Sequence, residues 1–235
     1  MATFVLVHGG WHGGWCWKKV VPLLRQQGHD VSTPTLTGLG DRSHLLTQDI
    51  DLDTHIQDVE ALLNYEDLSD VILVGHSYGG MVITGVADEA PMKLARLVYL
   101  DATAPTVGES LLSMNPPAFR DAVLEASEID GDGWRVPPFP LSTMGVYDPE
   151  DVAWVEPKLR DHPLASIRQP LQFHRSTIET IPRSYVRCKE GAPNVNETAA
   201  RMRANKDGDY VEIESGHDAM VTVPIELAEA LVSQI

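Results

Sequence analysis

Apolar positions along the chain fall into two alternating patterns. Thr3–Val7 (TFVLV), Val71–Val74 (VILV) and Arg96–Leu100 (RLVYL) are short, nearly continuous aliphatic runs. Runs of that length predict strands buried on both faces. Between them apolar residues recur at helical spacing. The spacing predicts a helix over Trp15–Gln27, closed by Gly28 where a left-handed terminating residue is expected. It predicts a second from an Asp53 cap through Tyr65, and a third from Gly79 to about Ala90. His29–Leu36 reads as a strand despite Pro34. Such alternation predicts an α/β fold, a mainly parallel sheet with helices on both faces.

The rhythm breaks at Ala104. The next stretch is rich in Pro, Trp, Met and Phe, with DGDGWRVPPFP at its centre and no comparable strand. It is too long for a structureless loop in a compact domain, so 105–182 reads as an inserted cap of broken helices and turns. Alternation then resumes with a strand over Arg183–Cys188, a helix near Asn194–Ala204, a strand over Tyr210–Glu214 and a helix near Pro224–Ser233. The chain therefore divides into a core, 1–104 with 183–235, and a cap, 105–182.

A formal charge of −16, with no stripe of Lys and Arg, argues against nucleic acid as a partner. Cys16 and Cys188 are too few for a disulfide framework or a zinc site and read as two reduced thiols. The N-terminal apolar run is too short for a signal segment or a membrane span, so the expectation is a cytoplasmic protein with no membrane partner.

Candidate chemistry starts at Gly75-His76-Ser77-Tyr78-Gly79, a G-x-S-x-G motif between a predicted strand and a predicted helix. A sharp turn there pushes the Ser77 hydroxyl out at the carboxyl edge of the sheet and frees the Tyr78 N–H to meet a developing negative charge. A hydroxyl needs a base. His217, after the last strand in YVEIESGHDAM, is the best of nine histidines. His29, His55, His162 and His174 read as surface or cap residues, and His76 as packing beside the turn. His8-Gly9-Gly10, after the first strand, offers a second oxyanion donor in the Gly10 N–H.

FVLVHGGWHGGWCWKKVVPLL, VILVGHSYGGMVI, LVYLDATAP and GHDAMVTVP together resemble the α/β-hydrolase superfamily, within it the plant methylesterases, hydroxynitrile lyases and their bacterial esterase relatives. The resemblance implies a small lid over a deep, mostly apolar pocket and no metal or organic cofactor. Lyases of this group carry a threonine and a lysine where this chain has Gly9 and Asp218. A carboxylate would repel cyanide, so hydrolysis of a small ester, methyl or aryl, through an acyl-enzyme is expected. The alternatives are lyase chemistry and a non-catalytic ligand-binding homologue. The family's usual Asp after the penultimate strand is missing from YVRCKEGAPNVNE. Glu190 is the expected acid, Asp101 in YLDATAP its rival, and a Ser-His dyad the third possibility. Trp134, Phe139 and Met144, with Trp154 and Phe173, are the candidates for lining the substrate pocket, and pairing of two chains through the cap is possible.

Overall fold

The computed structural model describes residues 1–204 and 208–235. Six strands form one parallel sheet: β1 (Thr3–Val7), β2 (Asp30–Ser32), β3 (Val71–His76), β4 (Leu94–Leu100), β7 (Arg183–Glu190) and β8 (Gly208–Gly216). Their spatial order is 2-1-3-4-7-8. A two-stranded antiparallel pair, β5 (Arg135–Val136) with β6 (His162–Pro163), stands apart from the sheet. Alternate residues of β1 divide between two cores. Val5 and Val7 pack on one face with Leu73, Met81 and Val86, and Phe4 and Leu6 on the other with Trp17, Val74 and Leu231. Apolar burial on both faces is what makes these strands continuous aliphatic runs.

The helices of the first half are α1 (Val21–Gln26), α2 (Leu52–Tyr65) and α3 (Gly79–Glu89). The predicted helix over Trp15–Gln27 is divided. A 3-10 segment, Gly14–Lys19, precedes α1, whose first turn contains Pro22. Proline has no N–H to extend the preceding turn, so it begins a helix better than it continues one. Gly28 follows with φ +83°, in the left-handed region expected of it. The strand read over His29–Leu36 shrinks to β2, because Pro34 supplies no ladder donor. The cap of α2 is Asp51 rather than Asp53. Asp51 accepts from Thr54 N at 2.9 Å and Thr54 Oγ1 answers its backbone, so the two satisfy each other.

Between Leu100 and Arg183 lie α4 (Leu111–Met114), α5 (Pro117–Asp130), α6 (Pro149–Val155), α7 (Leu164–Arg168) and α8 (Arg175–Ile178). Only α5 exceeds two turns. After β7 come α9 (Asn196–Ala204), α10 (Ala219–Thr222) and α11 (Pro224–Val232). No helix among the described residues is long and apolar enough to cross a membrane. Cys16 and Cys188 are buried and unpaired.

Candidate active site

Four strand ends converge at the carboxyl edge of the sheet, where parallel α/β sheets place their ligands. β1 leads to Gly9 and Gly10, β3 to Ser77, β4 to Asp101 and β8 to His217. Ser77 has φ +53°, a left-handed conformation unusual for a residue with a side chain. The turn is held by Ser77 N donating to Leu100 O at 3.2 Å, and by Ser77 O accepting from Gly80 N at 3.1 Å and Thr103 N at 3.2 Å. Its glycines are spatial necessities. A Cβ on Gly75 would lie 2.6 Å from the Gly79 carbonyl oxygen, and one on Gly79 2.9 Å from those of Val7 and His8.

His217 is nearly buried, and its Nδ1–H donates to Asp101 Oδ2 at 2.6 Å. That bond fixes the tautomer and leaves Nε2 for proton transfer. Asp101 is fully buried and accepts three further donors: the Arg187 guanidinium, Cys188 N at 3.3 Å and Ala192 N at 3.1 Å. Burial alone would raise this carboxyl, but the His217 hydrogen bond and the His217 and Arg187 charges hold it below the usual range.

Glu190, the acid expected from the sequence, does not occupy this position. It is exposed at the end of β7, in register with Gly216, and makes no hydrogen bond to His217 among the described residues. The next residue explains the exchange. A Cβ on Gly191 would fall 2.2 Å from Asp101 Oδ2, so the loop expected to carry the acid instead makes room for one from β4.

Gly10 and Tyr78 line the same cavity as Ser77 and His217. The Tyr78 side chain points into the protein, where its hydroxyl meets His55 Nδ1 at 2.8 Å. Its ring packs on His162, another wall of the cavity, at 4.7 Å between ring centres. His55, read as a surface or cap residue, is buried, and desolvation brings it down to about 4. His162 does lie in the inserted segment but is fully buried, and His76 packs on His217 at 4.5 Å between ring centres.

The cavity has a volume of about 400 Å³. Phe139 and Met144 line it as expected; Trp134 does not. Trp134 lies half-buried under the Arg135 guanidinium, 5.6 Å from its ring centre. Trp154 packs on Trp15 instead, and Phe173 faces a separate groove. The cavity walls not anticipated include Trp11, Leu111, Phe119, Ala122, His162 and Ile167. Phe119 and Ala122 lie on one face of α5, an amphipathic pattern obscured by the prolines ahead of it. Trp11 stacks edge-on against Phe139 at 5.3 Å.

Among the described residues, one grouping could present three metal-ligand atoms: His76, His217 and Asp218. Each has one polar atom engaged by the protein, while His76 Nδ1 and Asp218 Oδ1 are buried with no hydrogen-bond partner among the described residues. His76 Nε2–H donates to His217 O at 3.0 Å, His217 Nδ1 serves Asp101, and Asp218 Oδ2 receives His12 at 3.1 Å.

Comparison with known proteins agrees with this architecture. The model of the alpha/beta hydrolase family matches residues 4–230. A carbendazim hydrolyzing esterase from a Nocardioides species is 42% identical over 240 residues, covering 98% of each chain. Two solved structures, each 25% identical, superpose on nearly the whole chain. A pyrethroid hydrolase from Sphingobium faniae has a TM-score of 0.79, covering 99% of this chain and 96% of its own. A methylesterase from Arabidopsis has a TM-score of 0.77, covering 100% and 98%. The chain belongs to the alpha/beta hydrolase family and is an esterase of that fold.

Proposed function

We propose that the protein is a serine hydrolase that cleaves small carboxylic esters with apolar or aromatic groups through an acyl-enzyme. The observation that carries this reading is the 2.6 Å bond from His217 to Asp101, buried behind a cavity that His217 and Ser77 both line. His217 Nε2 removes the Ser77 proton as Oγ attacks the ester carbonyl. The Gly10 and Tyr78 N–H groups stabilise the tetrahedral oxyanion. The imidazolium, stabilised by Asp101, protonates the departing alkoxide. His217 then takes a proton from water, which attacks the acyl carbonyl and releases the acid and free Ser77.

The segment 105–182 acts as the cap. It supplies Phe119, Phe139 and Met144 to a cavity of drug-sized volume. Methyl and aryl esters suit this shape, and the relative at 42% identity makes carbendazim the first additional compound to assay. Labelling with a fluorophosphonate, followed by peptide mass spectrometry, tests the reading. A single adduct on the peptide containing Ser77, abolished by competing ester, is expected. Ester turnover that persists in Ser77→Ala, with no adduct on the wild type, would overturn it.

A further inference from the structure

The loop that carries the proposed oxyanion donor is gripped by two buried histidines whose partners demand different protonation states. His8 Nδ1 lies 2.8 Å from Gly9 O, and Leu36 N donates to His8 Nε2 at 3.1 Å. One nitrogen must therefore donate and the other accept, which describes a neutral ring. His12 differs. Its Nδ1 lies 2.7 Å from Gly10 O and its Nε2 3.1 Å from Asp218 Oδ2. A carbonyl only accepts, and so does an ionised carboxylate, so both ring nitrogens must donate. Only the imidazolium can do that.

We propose that His12 is a charged positioning residue, neutralised by Asp218, that clamps the Gly10 carbonyl and so sets the oxyanion loop for catalysis. The Gly9–Gly10 peptide, whose N–H is the donor proposed above, is held by His8, and the next peptide by His12. Asp218 directly follows His217, and its own N–H donates to Met144 O at 3.0 Å. One residue thereby ties together the oxyanion loop, the base and the cap.

His12 is 2% exposed and Asp218 fully buried. Such a pair is retained for geometry more readily than for net stability. Around it, His8 and His76 act on His12, and His76, His217, Cys16 and Cys188 on Asp218. The second carboxylate of the cluster, Asp101, is bonded to His217 and acts on His76. Burial opposes charge on both partners, yet their mutual attraction raises His12 above its ordinary value and draws Asp218 down to about 2. Across the loop, desolvation leaves His8 neutral, at about 3.

Two measurements test this. The first is the ¹⁵N spectrum of the histidine side chains in the full chain at pH 7.5, with His12 assigned from His12→Gln and Asp218→Asn. Two ring protons on His12 and one on His8 are expected. In Asp218→Asn, whose amide can donate to Nε2, His12 falls to one. The second is turnover of p-nitrophenyl acetate per active site, with sites counted by burst amplitude. His12→Gln should lower kcat about 10- to 100-fold with KM within about twofold, because the oxyanion contact strengthens in the transition state. Asp218→Asn should lower it severalfold.

A purely structural His12 would lower the burst amplitude or Tm and leave kcat per site unchanged. That result, or a singly protonated His12 in the wild type, overturns the proposal. If His12→Gln yields no active sites, unchanged turnover per site in Asp218→Asn overturns it equally. The kinetic arm rests on the serine-esterase reading, but the protonation arm does not. Failure of the serine-esterase reading shows separately, as turnover that persists in Ser77→Ala.

Discussion

At the scale of single residues, the exchange of Glu190 for Asp101 is the most instructive feature. The motif Gly75–Gly79 and His217 were legible because their chemistry is local: a strand, a turn without room for side chains, and a histidine after a last strand. The acid was not. It depends on which of two neighbouring strand ends reaches His217, and Gly191 decides that by leaving space at 2.2 Å from Asp101 Oδ2. A glycine next to a glutamate carries no such message in a single sequence. Gly191→Ala forces either the loop or the carboxylate to move, and should lower kcat by at least about tenfold, since roughly 1.4 kcal/mol of misplacement is a factor of ten. Crystallography of that variant should show the His217–Asp101 bond lengthened. An unchanged bond and unchanged kcat would refute the steric account.

At the scale of elements, the sheet strands were readable because burial on both faces writes them as uninterrupted aliphatic runs. The segment 105–182 was not. Its helices are mostly one or two turns, prolines begin α5 and α6, and its only strands are two residues long. Aromatic composition alone does not separate Phe139, which lines the cavity, from Trp134, which does not, because it cannot say which side of an element faces the cavity. Phe139→Ala should raise KM for aryl esters about tenfold or more, the effect of removing an aromatic wall worth roughly 1.5–3 kcal/mol. Trp134→Ala should leave KM within about twofold. Steady-state kinetics on an aryl and a methyl ester decides the point, and equal effects of the two substitutions would contradict the assignment of the walls.

At the scale of the whole molecule, the histidine network predicts how stability responds to acid. Burial lowers His8 and His76 to about 3, His55 to about 4, and His162 well below its ordinary value. Below pH ~6.5 the unfolded chain takes up protons that these native rings refuse, so stability falls with pH until the native values are reached. Each ring contributes at most about 1.4 kcal/mol per pH unit in that window. His12 has the opposite sign, since its raised value adds stability that is lost as pH rises through it. Asp218, drawn down to about 2, contributes stability present above pH ~4 and lost as pH falls towards that value. Melting curves should therefore show Tm dropping steeply from pH 6.5 to 4.5. A flat Tm over that range would mean the buried rings are protonated in the native state.

The central claim is that Asp101, Ser77 and His217 act as one catalytic unit. Stopped-flow hydrolysis of p-nitrophenyl acetate by the wild type, Asp101→Asn and Glu190→Gln tests it most directly. The account predicts a burst followed by turnover in the wild type, a kcat lower by about four orders of magnitude in Asp101→Asn, and a kcat within about twofold in Glu190→Gln. Collapse of turnover in Glu190→Gln with Asp101→Asn unaffected would contradict it.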